Sequence, residues 1–136
     1  MNKLFNPRGW LLVFGGANVL FGTLLVVGGG AENIVDTLGS DASDIILMGF
    51  AKDMHEALGG LWAVFGALVL AAGIVYRGIA AKKPALASAV VGSMVQGHHI
   101  TQIASGELPV GYLDAGISIV LISGLLVSGL KYTEAS

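Results

Sequence analysis

Cysteine is absent from the 136 residues, so disulfides, thiolate metal ligation and a cysteine nucleophile are excluded, and the redox compartment leaves no mark. Charge is scarce as well. Asp, Glu, Lys and Arg make up 12% of the chain, against roughly 25% in an ordinary soluble domain. With 54% hydrophobic residues and a mean hydropathy of +0.80, a soluble monomer could not hide its apolar surface. Histidine occurs three times, and His55-Glu56 is followed by Ala57-Leu58-Gly59 rather than by a second histidine, so the HExxH zinc pattern is missing. The four methionines are too dispersed for a copper-binding stripe. No internal repeat, low-complexity tract or pair of broken helices occurs, which disfavours a transporter, although an oligomer could enclose a pore. Four membrane spans of ~20 residues would use most of the chain and leave no room for a separate catalytic domain.

What is present is a pattern of four apolar stretches, at about Trp10–Val27, Ala57–Tyr76, Ala85–Ile103 and Leu113–Leu130. Six of the seven basic residues, Lys3, Arg8, Arg77, Lys82, Lys83 and Lys131, fall on one side of it, with Lys52 opposite. By the positive-inside rule that side is cytoplasmic. The sequence therefore predicts one all-α domain over residues 1–136, an integral membrane four-helix bundle with both termini cytoplasmic. A basic segment before an apolar run also fits a signal peptide, but Val26-Val27 followed by Gly28-Gly29-Gly30 is a weak cleavage site, and the later spans fit a retained first helix. The long first loop, with Glu32, Asp36, Asp41 and Asp44, is extracytoplasmic. Within it Ser43 or Asp44 can cap an amphipathic helix carrying Leu47, Phe50, Ala51, Met54 and Leu58. Gly49 and the Gly59-Gly60 pair permit a bend between that helix and the second span, so its continuity is open. Pro84 favours the start of the third span, and Gly106, Pro109 and Gly111 mark the turn before the fourth. Trp10, Tyr76, Tyr112 and Tyr132 stand at span ends as interfacial anchors.

This topology gathers His55, His98 and His99 in the outer half of the bundle. Around them it places Asp53, Glu56, Gln96, Gln102 and Asp114, with Asn18 near the middle of the first span. Polar side chains at membrane depth face the bundle interior or a wet cavity. Gln96 and His99 share one helix face, His98 and Gln102 its neighbour, and His99 with Gln96 is the pair preferred for the interior. Three ligand chemistries compete for this cluster. Imidazole and carboxylate suit a divalent metal. A haem held between His55 and His98 or His99 would have Gly59, Gly60 and Gly97 beside it. A quinone or lipid would need only a few polar contacts at the pocket mouth. Against all three stands hydrogen-bonded helix association, with no cofactor at all, at about 1 kcal/mol per contact.

From Glu56 to Arg77, EALGGLWAVFGALVLAAGIVYR, the chain resembles the DUF4345-like group of small four-helix bacterial membrane proteins. A weaker likeness continues through Gly97-His98-His99 and the Gly106-Glu107-Leu108-Pro109 turn. Near the end of the third span this chain has histidine where that group would have arginine. More distantly it is similar to DoxX-like proteins, some of them linked to quinone-coupled redox complexes. These resemblances imply an architecture and a lean toward redox membranes; they supply no catalytic residues.

Small residues recur four apart at Gly59/Ala63, Ala67/Ala71, Ala85/Ala89 and Gly124/Ser128, a spacing that lets helix backbones approach closely in lipid. The expectation is a non-catalytic protein of a bacterial or archaeal inner membrane, with no nucleic-acid partner. It would pack on a larger complex, or on itself, through these faces. The alternative is a small redox or ligand-binding protein using His55, His98 and His99.

Overall fold

The computed structural model of the chain describes residues 6–28, 45–105 and 112–133. Within them the chain is all-α: α1 (Pro7–Val27), α2 (Ile45–Val75), a 3₁₀ turn (Gly78–Ala81), α3 (Lys82–Ala104) and α4 (Tyr112–Lys131). Two segments, Pro7–Val27 and Met48–Val75, are long and apolar enough to cross a membrane, with mean hydropathies of 2.0 and 2.2, and Ala115–Lys131 is a shorter apolar helix.

Local chemistry sets the helix ends. Asn6 caps α1, its Oδ1 accepting a hydrogen bond from the Arg8 amide at 3.1 Å, and Pro7 takes the first helical position, where a missing N–H costs nothing. Helix α1 thus begins three residues before the apolar run. At 31 residues, or about 46 Å, α2 absorbs both the helix expected in the first loop and the second span. The glycines at 49, 59 and 60 lie inside it; each weakens a helix by only about 1 kcal/mol, and no proline interrupts the segment. Beyond α2, Arg77 is extended and Gly78 has a φ of 55°, the left-handed conformation that glycine adopts without strain. Helix α3 starts at Lys82, with Pro84 in a first turn whose amides lack helical acceptors anyway. The first-loop acidic residues Glu32, Asp36, Asp41 and Asp44, the cap candidate Ser43, and the Gly106–Gly111 turn lie outside the described residues, as does Lys3.

The chain packs as two units, Gly16–Leu68 and, together, Met1–Gly15 with Val69–Ser136. In the Gly16–Leu68 unit, α1 runs antiparallel to α2. A methyl on Gly22 would lie 2.5 Å from the Gly59 carbonyl oxygen and 2.9 Å from Ala63 Cα, and a Cβ on Gly59 would lie 2.7 Å from the Gly22 carbonyl oxygen. Neither position admits a side chain. In the other unit four helices meet: Leu11 and Leu12 pack on Gly73, Phe14 on Gly92, Trp10 on Gly124 and Leu86 on Gly129. Helices α3 and α4 form an antiparallel pair whose contacts step in register, Lys82 with Tyr132, Leu86 with Gly129 and Gly92 with Ile122.

At one end of that unit two basic side chains close helix termini. Arg8 donates from Nε to the Gly73 carbonyl oxygen at 3.1 Å, and Lys82 donates from Nζ to the Tyr132 carbonyl oxygen at 3.1 Å. Gly73 lies in the last turn of α2 and Tyr132 directly follows α4, where carbonyls lack intrahelical donors and the helix dipole is negative.

Candidate functional site

Two of the polar residues singled out in the sequence are buried. Asn18 retains 3% of its accessible surface on the α1 stripe with Leu11, Phe14 and Gly22, and Gln96 retains 4% on the α3 stripe with Ala85, Ala89 and Gly92. Both residues take part in interactions within the structure, yet the Gln96 Oε1 is buried with no hydrogen-bond donor among the described residues, where buried amide oxygens usually find one. Two serines, Ser88 and Ser128, are also buried. The Ser128 hydroxyl donates to the Leu125 carbonyl oxygen of its own helix at 3.1 Å, so it is satisfied locally and offers nothing to a ligand.

His55 and Glu56 are half-buried on α2, and Asp53 is exposed. Glu56 lies 3.8 Å from Lys52 one helical turn earlier, the lysine side chain well exposed and the glutamate's partly so; such a pair contributes about 0.3–0.5 kcal/mol. The register of the Gly16–Leu68 unit keeps Asn18 away from His55. With Gly22 opposite Gly59 and Ala63, Asn18 stands one turn further toward the C-terminal part of α2, roughly 15 Å along the axis from His55. Asn18 therefore belongs to the helix contact and not to a site built on His55.

The other candidates, His98, His99, Gln102 and Asp114, are helical, and their side chains lie outside the described residues. Their backbone positions follow from the α3–α4 register. Continued at ~1.5 Å per residue, it sets Gln96 level with Ser118 and Asp114 level with Ile100 and Thr101. Five of the expected cluster, Gln96, His98, His99, Gln102 and Asp114, thus have backbone positions toward one end of a single helix pair. Among the described residues no group of three or more His, Asp or Glu side chains could hold a metal ion.

Trp62, which is not among the sequence candidates, carries a further buried polar group. Its indole Nε1 is buried with no hydrogen-bond acceptor among the described residues, a state that costs about 1–3 kcal/mol. Trp62 lies seven residues after His55, so His55, Gly59 and Trp62 fall on one face of α2. Depth in an apolar run was the available signal, since a buried indole N–H needs an acceptor. Compared with known protein families, curated proteins and solved structures, the chain matches none.

Proposed function

We propose that the chain is a non-catalytic integral membrane protein, its four helices spanning a bacterial or archaeal inner membrane with both termini cytoplasmic. In this reading it serves as an accessory subunit of a membrane complex or as a homo-oligomer. The observation that carries the proposal is inverted packing. Among the described residues 24 large apolar side chains are exposed, while the buried apolar residues larger than alanine are Leu11, Phe14, Val69 and Leu125. Glycine, alanine and serine fill the interior instead, the composition of helix contacts made where lipid supplies no hydrophobic drive between helices.

Association is supported by what the bundle leaves over. Of the four small-residue pairs, Gly59/Ala63 receives Gly22, Ala85/Ala89 is buried, and Gly124/Ser128 is covered, Gly124 by Trp10. The pair at Ala67/Ala71 is exposed and is the face on which a partner helix would seat. Single cysteines at positions 67 and 71, in a chain that has none of its own, would cross-link to that partner or to a second copy. Release of the chain from membranes by alkaline carbonate would refute the membrane assignment. A monomer in mild detergent, with no cross-link at either position, would refute the association.

A second reading, a small redox or ligand-binding protein, is favoured by the Trp62 indole on the face of His55 and by Asp114 standing level with the His98–Gln102 segment. The buried α3 stripe at 85, 89, 92 and 96 extends by helical period through position 99 rather than 98. An absorption spectrum and metal analysis of the protein purified from its native membrane test it. A Soret band or stoichiometric metal lost in His99→Ala would establish it, and a colourless, metal-free preparation would sink both cofactor forms.

A further inference from the structure

An open groove of about 700 Å³ lies where α2 ends and α3 begins, lined by Tyr76, Ile79, Ala80, Lys83, Pro84 and Ala87. Its walls are apolar and solvent-facing: Ile79 is 59% exposed and Tyr76 46%. Lys83 is the one charged group on the lining, and it is exposed.

Among the described residues, the charges around the groove have no acidic partner. Arg8 and Lys82, at the same end of the unit, are engaged by helix carbonyls. Arg77, next to Tyr76, together with Lys83 and Lys131, is exposed, and among the described residues none of the three has an acidic partner. The described carboxylates, Asp53 and Glu56, lie some 20 residues before Arg77 on α2; the backbone of Asp114, whose side chain lies outside the described residues, is at the opposite end of α4 from Lys131. Glu134 is the acidic residue closest in sequence to this end and lies outside the described residues. The first turn of α3 adds its positive dipole end to the same place.

We propose that this groove holds an anionic phospholipid, its phosphodiester on Lys83 and its glycerol and upper acyl carbons against Ile79, Ala80, Pro84 and Ala87. The charge asks for an anion and the walls ask for a hydrocarbon, and a phospholipid joins the two in one molecule. Inorganic phosphate would leave the apolar walls bare. Basic clefts between membrane helices on the cytoplasmic side take anionic headgroups in this way, and Tyr76 is an amphipathic ring of the kind found at headgroup level. The inference rests on the membrane reading above.

The test is native mass spectrometry of the full chain in an uncharged detergent, with dioleoyl phosphatidylglycerol or dioleoyl phosphatidylcholine added at equal concentration. Phosphatidylglycerol should be retained roughly fivefold or more over phosphatidylcholine, and Lys83→Gln should reduce its retention roughly fivefold, as loss of one basic contact predicts. Lys52→Gln, at the other end of α2, should leave retention unchanged. Equal retention of the two lipids, an unaffected Lys83→Gln, an equal loss in Lys52→Gln, or displacement by millimolar inorganic phosphate would each overturn the lipid site. Carbonate extraction of the wild type reads the membrane assignment separately: a chain that stays in the membrane yet shows no lipid preference refutes the groove alone.

Discussion

Replacing Gly22 by alanine probes the tightest described helix contact of the Gly16–Leu68 unit. The new methyl would fall 2.5 Å from the Gly59 carbonyl oxygen and 2.9 Å from Ala63 Cα, where unstrained contacts need about 3.5 Å. Both obstacles are backbone atoms of one continuous helix, so no rotamer change removes them, and the helices must separate by about 1 Å. A gap of that size forfeits a quarter to a half of the attraction in every atom pair it opens. Insertions of this kind into packed contacts cost about 1–3 kcal/mol. Alanine also raises helix propensity by about 0.8–1 kcal/mol over glycine, and Gly16→Ala removes that contribution from the comparison, because a Cβ at position 16 meets nothing within 4 Å. Reversible unfolding in mixed micelles, followed by Trp62 emission in a Trp10→Phe background, should place Gly22→Ala about 1–3 kcal/mol below Gly16→Ala. If the two variants agree to within about 0.3 kcal/mol, the α1–α2 contact is not the one described.

Arg8→Met removes the donor to the Gly73 carbonyl and should lower stability by about 1.5–3 kcal/mol in the same assay, the range for a charged hydrogen bond. Arg77→Met, at an exposed position, should stay within about 0.5 kcal/mol of wild type, and equal losses would deny Arg8 its role. Orientation is read by single cysteines at positions 52 and 83 treated with a membrane-impermeant maleimide. Labelling should reach position 52 from outside intact cells and position 83 only after permeabilisation; the reverse pattern would invert the topology, and labelling of both from outside would deny that α2 crosses the membrane. His98→Ala and His99→Ala should leave a colourless, metal-free protein unchanged in spectrum and stability to within about 1 kcal/mol if these side chains serve only helix association.

The four helices were legible because each apolar stretch is long and flanked by charge or by turn residues. The continuity of α2 was not. Gly49 and Gly59-Gly60 read as hinges in a linear sequence, but whether a glycine bends a helix depends on what covers it, and Gly59 lies directly against the Gly22 backbone. Asn18 and Gln96 are buried, as suits an amide in an apolar run, which has few places to go. That Asn18 stands away from His55 follows from the antiparallel register of α1 and α2, which no local pattern encodes. The same holds for the division of small-residue pairs. All four looked equivalent, and only tertiary packing separates the three that serve the chain's own helices from Ala67/Ala71. The bonds from Arg8 and Lys82 to helix carbonyls were likewise out of reach, since they depend on which helix end arrives beside each basic residue.

How the apolar exterior is covered decides between lipid and protein as the chain's principal surroundings. A partner protein shields one face, so a chain built for a soluble complex would concentrate its exposed apolar residues there and turn charge outward elsewhere. Here every helix carries its own row: Leu20, Phe21 and Leu24 on α1, Leu61, Val64 and Leu68 on α2, Val90, Val91 and Met94 on α3, and Ile119, Val120 and Leu126 on α4. Uncovered in water, each large side chain would add up to about 1.5–3 kcal/mol to the drive for association, and the sum over four helices would exceed the net stability of about 5–15 kcal/mol that holds a typical domain together. Such a chain would aggregate rather than assemble. Under the proposed membrane reading, a solvent that wraps every helix at once would remove that drive and would account for the interior of glycine, alanine and serine: with lipid outside, large side chains would gain nothing by turning inward, and close backbone contact would hold the helices together.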